Sequence, residues 1–267
     1  MNPTGTDIMD PELMMLLNNK ESGYNYRERR QDDWTENYTL YRDRVTTNRL
    51  TQRQSVSLPL MKTVIRTNLK DVDDMPVLYF ENLNNDKQAE IFQNEYWKWT
   101  LEKNNAEIQD IVDKKQEMLF GRTFDQLQIV DGRIKWTIED PEDITVDRYV
   151  DPSDLDTTRW LIHTHIFIPL SVLESNPDYD KEALSALKDY FVTEQGIIKS
   201  ASNEQSYLKK QQKMQDMGLI DALDPVLGEA YVEVSMHFVM RKEEGDEEEQ
   251  YYLYVEAEDM QKLMKKP

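Results

Sequence analysis

The chain has 267 residues, of which 39% are hydrophobic and 10% aromatic, so it is long and apolar enough to bury a core. It has no cysteine, which excludes disulfide scaffolds and thiolate chemistry and suits a reducing compartment, and no apolar run of about 18 residues that would predict a membrane span. Residues 20–70 carry 11 Lys/Arg against 6 Asp/Glu and residues 71–267 carry 21 against 43, within a formal net charge of -20; a body this acidic is not expected to bind nucleic acid broadly.

The first third of the chain is predicted to be helical after an N-terminal arm. Residues 1–30 are interpreted as a partly flexible arm. A helix is predicted from Asp32, and a second one opens at Pro59, where proline suits the first turn. Residues 77–80 are apolar and predict a short buried strand. The face of the first helix is marked by Trp34, Tyr38, Tyr41 and Val45.

Two long helices are predicted in residues 85–121, joined by a tight turn at Asn104-Asn105 and ended by Gly121. The first of them carries the aromatic residues Tyr96, Trp97 and Trp99. Such a stripe could stack on nucleic-acid bases. A core position is favoured, because aromatic side chains dominate burial energetics.

Strands follow these helices. Asp131-Gly132 predicts a type I′ hairpin turn, since both central residues of that turn need positive φ. Strands are predicted at 144–146 and 160–168, helices at 170–175 and 181–191, and a polar helix at 200–217 that is exposed or partner-dependent. The final hairpin pairs residues 232–240 with 251–258 across an acidic loop. Its first strand presents Val232, Val234, Met236, Phe238 and Met240 on one face.

The predicted fold class is therefore α+β, with N-terminal amphipathic helices packed on a meandering antiparallel sheet and a C-terminal β-hairpin. Residues 31–267 are interpreted as one domain after the arm of residues 1–30. Within that domain the regions are helical at 31–121, sheet-rich at 122–168, helical at 169–217 and a hairpin at 229–257.

An acidic cluster surrounds the short strand Ile144–Val146, which is bracketed by Asp140-Pro141 and Asp151-Pro152. These carboxylates could collect a hard cation, and a metal-dependent hydrolase is one reading. The spacing lacks the glycine and glutamate of an EF-hand, and aspartate before proline commonly builds turns, so turns are favoured. The cluster comprises Asp140, Glu142, Asp143, Asp147, Asp151, Asp154 and Asp156.

His163 and His165 lie two residues apart on one predicted strand and could be two ligands of a transition metal. Polar positions on a half-exposed sheet face are favoured for both. A solvated position is predicted for His237, which alternates away from the apolar face of its strand. The sequence has no G-x-S-x-G elbow, no P-loop and no G-x-G-x-x-G motif. No catalytic, cofactor-binding or metal-binding residue is predicted, and no enzyme activity. Candidates for subunit contact are Arg42, Arg44, Arg49 and Arg53.

In order and spacing, these features resemble the amino-terminal wing region of phage portal proteins, especially those of short-tailed phages. The resemblance covers residues 30–256, and each motif is weak by itself. It is carried by the helix of Trp34, Tyr38 and Tyr41, by Gln54, Val56 and Pro59, by the step Met75–Phe80, by the hairpin at Asp131-Gly132, by the strand closing on Asp151-Pro152 before Arg159, and by the strand Val232–Met240.

This resemblance implies a ring, commonly of twelve subunits, at one capsid vertex of a virion assembled in the host cytoplasm. Such a ring is the conduit for double-stranded DNA during packaging and ejection, without sequence recognition and without a cofactor. The implied partners are the capsid protein, the packaging motor (terminase) and a tail or head-completion adaptor. The family continues into stem and clip elements beyond the region resembled, and no residue is carried over as DNA-contacting.

The distribution of charge along the chain suggests which regions of neighbouring subunits contact each other. Because copies this acidic repel one another, assembly is expected to place the net +5 segment, residues 20–70, against the acidic body of the next copy. The alternative to a ring is an acidic interaction module that binds a basic partner.

Overall fold

The computed structural model describes residues 10–42, 60–71, 79–81, 84, 86–130, 132–149, 157–191, 204–217, 231–242, 248–258 and 262–265. They confirm the α+β class, with a five-stranded antiparallel sheet and a separate two-stranded one. The chain divides into two compact units: unit 1 comprises Met1–Arg29 and Glu142–Pro267, and unit 2 comprises Arg30–Pro141.

The elements follow one another in chain order. The helices are α1 Pro11–Tyr41, α2 Leu60–Asp71, α3 Lys87–Lys103, α4 Ala106–Phe120, α5 Leu170–Ser175, α6 Lys181–Phe191 and α7 Glu204–Met217. The strands are β1 Phe124–Val130, β2 Arg133–Glu139, β3 Ile144–Val146, β4 Trp160–Pro169, β5 Tyr231–Arg241, β6 Gln250–Ala257 and β7 Lys262–Lys265.

The first helix begins well before the sequence predicted. The predicted arm of residues 1–30 is helical from Pro11 onward, where α1 starts. Proline suits a first helical position, and the carboxylate of Asp10 accepts a hydrogen bond from the Glu12 amide at 3.0 Å. Leu13 and Leu16 lie one turn apart and are buried. The helix ends at Tyr41, and Val45 lies outside the described residues.

Helices cover both faces of the five-stranded sheet of unit 1, whose strand order is β3-β4-β5-β6-β7. One core contains residues of α1 against the sheet: Leu13, Leu16, Trp160, Ile162, Val239, Tyr254 and Leu263. The other contains residues of α5 and α6: Leu173, Ala183, Leu184, Leu187, Val232, Val234, Val255, Ala257 and Met264. Among the described residues, both faces of this sheet therefore carry buried core side chains.

A β-bulge in β4 decides which side chains reach which core. His163 pairs with Met236 and Ile166 pairs with Val234, so two residues of β4, at positions 164 and 165, lie opposite the single residue 235 of β5. One extra residue reverses the alternation of side chains. Ile162 therefore packs in the α1 core, whereas Ile166 packs against the opposite core.

Gly23 is the point of closest approach between α1 and the sheet. A Cβ added there would collide with the Thr145 methyl group and lie 3.0 Å from the Trp160 ring. Helix propensity favours alanine over glycine by about 1 kcal/mol, but overpacking costs about 1–3 kcal/mol. We expect Gly23→Ala to lower the free energy of unfolding in urea titrations, and a stabilised Gly23→Ala protein would show that α1 does not approach the sheet this closely.

Unit 2 is held together by side chains that satisfy backbone groups. Trp34 Nε1 and Asn37 Nδ2 donate to the Phe120 and Leu119 carbonyls, each at 3.0 Å, which caps the last turn of α4. Asn104 lies in the predicted turn between α3 and α4. Its side-chain Nδ2 donates to the Ile134 carbonyl at 2.9 Å, and its Oδ1 accepts from the backbone N–H of Trp136 at 2.8 Å. This single side chain fixes β2 against the turn.

The predicted β1–β2 hairpin is confirmed. Val130 pairs with Arg133, and Gly132 has φ 71°. Asp131 lies outside the described residues. The predicted cap is also confirmed, since Gly121 is in the left-handed conformation at φ 69° and donates to the Glu117 carbonyl.

The buried strand predicted at 77–80 is wrong where the structure describes it. Tyr79 is 80% exposed, and residues 79–81 form no strand. The side chain of Asn94 takes the place of a strand partner. Its Oδ1 accepts from the backbone N–H of Phe80 at 2.9 Å, and its Nδ2 donates to the Phe80 carbonyl at 3.0 Å. Residues 77 and 78 lie outside the described residues. The four-residue strand β7 is an element that the sequence patterns missed.

None of the helices in the described ranges has the length and apolar character needed to span a bilayer.

Candidate functional site

The predicted acidic cluster is engaged by lysines of α7. Asp143 Oδ2 lies 2.8 Å from Lys210 Nζ, and Glu142 Oε2 lies 2.6 Å from Lys213 Nζ. Helix α7, predicted to be exposed or partner-dependent, is thus held to the sheet by ion pairs. Asp147 accepts the Tyr149 amide in a turn at 3.1 Å, as the turn interpretation predicts. Asp151, Asp154 and Asp156 lie outside the described residues.

The histidines do not share an exposed strand face. His163 is buried, and His165 sits on the bulge with φ 55°, an uncommon conformation for a non-glycine residue. The prediction that His237 is solvated is wrong, because its side chain is 0% exposed. The physical reason is that α1 covers the sheet face on which His237 lies. Among the described residues, no three His, Asp or Glu side chains are placed to share a metal ion.

A network of polar and charged side chains lies beneath α1 in unit 1. Lys20 Nζ lies 2.6 Å from Glu258 Oε1 and 3.7 Å from Glu256 Oε2, and donates to Ser235 Oγ at 3.4 Å. The Ser235 hydroxyl in turn donates to Glu258. One lysine of the helix therefore neutralises carboxylates at the end of β6. We call this group, together with His237, the α1 latch.

His237 completes the latch. Its Nε2 lies 2.9 Å from Glu256 Oε2, and both side chains are buried. The buried Nδ1 has no hydrogen-bond partner among the described atoms. The His237 side chain therefore contacts Glu256 through one of its two ring nitrogens.

The electrostatics of the latch reinforce its contacts. Burial alone would lower the pKa of Lys20, but the carboxylates of Glu256 and Glu258 outweigh it, and the pKa is raised. Burial alone would raise the pKa of Glu258, but the Lys20 ammonium outweighs it, and the pKa is lowered. The pair is therefore charged across the neutral range.

A second ionic contact stands beside the latch. His165 Nδ1 lies 2.6 Å from Glu233 Oε1, and the Lys210 ammonium donates to the His165 carbonyl at 2.8 Å. The hydrogen bond to Glu233 raises the pKa of His165 against the effect of burial. With this pair, each carboxylate of the buried strands has a cationic, imidazole or hydroxyl partner. The network thus holds α1 and α7 on the sheet and stabilises the architecture.

The arginines predicted for subunit contact are only partly described. The Arg42 guanidinium lies over the Tyr38 ring, 5.7 Å from its centroid, at the end of α1. Arg44, Arg49 and Arg53 lie outside the described residues.

The aromatic stripe of α3 is not in the core of unit 2. The favoured prediction of a core position is wrong for Tyr96, which is exposed, whereas Trp97 and Trp99 are half-buried. Phe92, one helical turn before Tyr96, is 71% exposed. The ring centroids of Phe92 and Tyr96 lie 6.3 Å apart in a stacked arrangement, and those of Tyr96 and Trp99 lie 5.8 Å apart in a tilted one. Thr100 is the only fully buried residue of α3, and Ile91, Phe92 and Tyr96 are exposed. We call Phe92, Tyr96 and Trp99 the α3 ladder.

The apolar face of the β1–β2 hairpin is open as well. Ile129 is 81% exposed and Leu127 is 69% exposed. Alternation places these two residues on the same side of β1. Two elements of unit 2 therefore present large apolar side chains to the surroundings.

Asp125 of β1 has a raised pKa that gives a pH prediction. Burial and the neighbouring Asp113 carboxylate raise its pKa to about 6. Because the folded-state pKa lies above the unfolded one, the free energy of unfolding rises as the pH falls from above 6 towards the ordinary aspartate pKa. We expect Asp125→Asn to stabilise the protein at pH 8 by less than about 1 kcal/mol, since the side chain is partly exposed.

Thermal unfolding at pH 8 and pH 4.5 checks this prediction. The difference in melting temperature between wild type and Asp125→Asn should be larger at pH 8 than at pH 4.5. An equal difference at both values would show that the carboxyl titrates normally.

In comparisons with known proteins, neither a family model nor a curated protein matches this chain.

Proposed function

We propose that the chain is a structural subunit of a homo-oligomeric ring, the wing-like part of a viral portal through which double-stranded DNA passes during packaging and ejection. The resemblance in the order of its elements suggests the family. The observation that carries the proposal is the outward-facing apolar surface of unit 2. Exposed clusters of large apolar side chains commonly mark a protein–protein interface.

Two elements supply that surface. Phe92 on α3 and Ile129 on β1 are among the most exposed large apolar side chains of the described residues. The sheet of unit 1, in contrast, is covered by helices on both faces. Unit 2 is therefore the region that supports self-association.

The distribution of charge supports the same assignment. Unit 1 holds 16 Lys/Arg against 32 Asp/Glu, whereas unit 2 holds 16 against 20. Like charges repel, so copies of this chain would meet most readily through the nearly neutral unit. The acidic unit suits a conduit that lets DNA pass without gripping it, because phosphate is repelled.

The partners follow from the resemblance. A portal ring contacts the capsid protein, the packaging motor (terminase) and a tail or head-completion adaptor, and it is located in the virion. This structural role does not require the subunit to have enzymatic activity.

Native mass spectrometry and negative-stain imaging of the purified chain test the proposal. We expect closed rings of a fixed subunit number, twelve being common in the family, and no gel shift with duplex DNA at physiological salt. A chain that stays monomeric at every accessible concentration would contradict the ring.

An acidic interaction module is the alternative favoured by a specific observation, the net charge of -16 on unit 1. The same mass measurement separates the two, because such a module would be monomeric and would bind a basic partner with strong salt dependence. The hydrolase alternative requires the Asp140–Asp156 carboxylates, of which Glu142 and Asp143 are engaged by lysines. A lowered melting temperature on adding EDTA would favour it.

A further inference from the structure

The α3 ladder is a preformed stack of aromatic rings. Phe92 and Tyr96 are nearly parallel, with 17° between their planes, and Tyr96 and Trp99 are inclined by 32°. Residues 92, 96 and 99 follow one another at helical spacing, so the rings run along one face of α3. A surface of rigid, stacked rings loses little side-chain freedom on binding, which is why aromatic side chains are enriched at binding hot spots.

One arginine of the same chain already contacts the ladder. The guanidinium of Arg133 lies over Trp99, 5.7 Å from the ring centroid, at the C-terminal end of the ladder. A guanidinium on an aromatic face is attracted by the ring quadrupole and stacks on the ring plane. The rings of Phe92 and Tyr96 offer further faces of the same kind, and they are more exposed.

Acidic side chains border the ladder on one side. Glu95 follows Phe92 by three residues, and Glu102 follows Trp99 by three, so both lie beside the rings on α3. Both side chains are exposed. Lys98 lies on the side of the two glutamates that faces away from the rings, and Lys103 lies one helical turn beyond Trp99. Rings with a carboxylate border match a ligand that carries several arginines.

The chain carries such a ligand in its own sequence. Residues 42–53 hold four arginines, Arg42, Arg44, Arg49 and Arg53, against one acidic residue. The net charge of +3 on this segment is opposite in sign to the net charge of -20 of the whole chain. A contact between two different patches of identical subunits is heterologous, and it closes into a ring when the rotation permits.

We propose that the α3 ladder with Glu95 and Glu102 is the docking surface for the arginine-rich segment 42–53 of a second copy of this chain. The inference rests on the proposed ring function and names the two surfaces that build it. Aromatic faces provide the stacking area, and the carboxylates select arginine-bearing segments and set their register.

Sedimentation velocity on matched variants tests the docking. We expect Phe92→Ala with Tyr96→Ala to weaken self-association at least about tenfold, as truncation of aromatic hot spots does. The control is Tyr149→Ala, which removes an aromatic ring of unit 1 that is 79% exposed. It should leave association unchanged. Circular dichroism should show that all variants fold, since the substituted side chains are exposed.

Charge exchange gives the sharper test. Glu95→Arg with Glu102→Arg moves the net charge from -20 towards neutrality, so general repulsion alone would strengthen association, whereas docking predicts weakening. Arg49→Glu with Arg53→Glu should also weaken it. The combination of all four changes leaves the net charge as it was and should restore association.

The outcomes separate this inference from the ring itself. Rings that persist in the ladder and charge variants would overturn the docking surface and leave the proposed function standing. A monomeric wild type would overturn both. Charge variants that change the melting temperature of the monomer without changing the assembly would place segment 42–53 on the ladder of its own copy, which also overturns the docking between copies.

Discussion

Replacing Lys20 with methionine is expected to lower the free energy of unfolding by about 3–5 kcal/mol, because it leaves buried carboxylates without their cation. Glu256 is almost completely buried, and Glu258 loses its 2.6 Å partner. Methionine keeps most of the side-chain length, so the change removes the charge more than the packing. Urea denaturation at pH 7 measures the effect.

The matched control is Lys188→Met, which breaks an ion pair with Glu174 at 2.9 Å between two exposed side chains. Exposed pairs contribute about 0–1 kcal/mol. Adding Glu258→Gln to Lys20→Met should recover part of the loss, because it removes one uncompensated charge. Equal losses at Lys20 and Lys188 would contradict a buried latch.

The latch also has a defined pH window. The folded-state pKa of Glu258 is lowered, by the Lys20 ammonium acting against burial, so its contribution is present above the ordinary glutamate pKa and is lost as the pH falls through the folded value. The raised pKa of Lys20 keeps the ammonium charged until strongly alkaline pH. The difference in the free energy of unfolding between wild type and Lys20→Met should therefore become smaller at acidic pH.

Truncating Leu16 to alanine is expected to lower the free energy of unfolding by about 2–5 kcal/mol. Its side chain is 0% exposed and packs in the core between α1 and the sheet. If residues 1–30 were a flexible arm, as their prolines and glycine suggest, the change would have almost no effect. The measurement thus decides whether the start of α1 belongs to the folded unit.

Met14 provides the control within the same helix. It is 44% exposed and lies two residues before Leu16. We expect Met14→Ala to change the free energy of unfolding by no more than about 0.5 kcal/mol, as exposed substitutions usually do. A loss at Met14 equal to that at Leu16 would show general destabilisation of the helix instead of a specific core contact.

Local chemistry made much of the fold predictable. The glycine at position 132 and the alternation around it predicted the β1–β2 hairpin, since a tight hairpin turn needs positive φ. Asn104-Asn105 and Gly121 predicted the ends of α3 and α4 in the same way. The helical period predicted α2, but it did not show that α1 starts at Pro11, because residues 11–30 are mostly polar outside their narrow apolar stripe.

The candidate sites were less predictable, because they depend on partners far away in sequence. His237 was predicted to be solvated by alternation, and the error comes from α1, which lies more than 200 residues earlier and covers that face. Lys20 offered no local signal, since a lysine in a polar helix is usually solvated. The bulge at His165 was equally hidden, because an extra residue in β4 shows only against its pairing with β5.

By itself, the sequence determined the identity and order of most elements, the α+β class and the strong acidity, because turn residues, periodicity and charge are properties of neighbouring residues. Only the tertiary structure decided that both faces of the sheet are covered, that Lys20 neutralises buried carboxylates, and that the α3 ladder faces outward. Burial is set by whichever distant segment packs against a face, and the amphipathic pattern of one segment does not specify that partner.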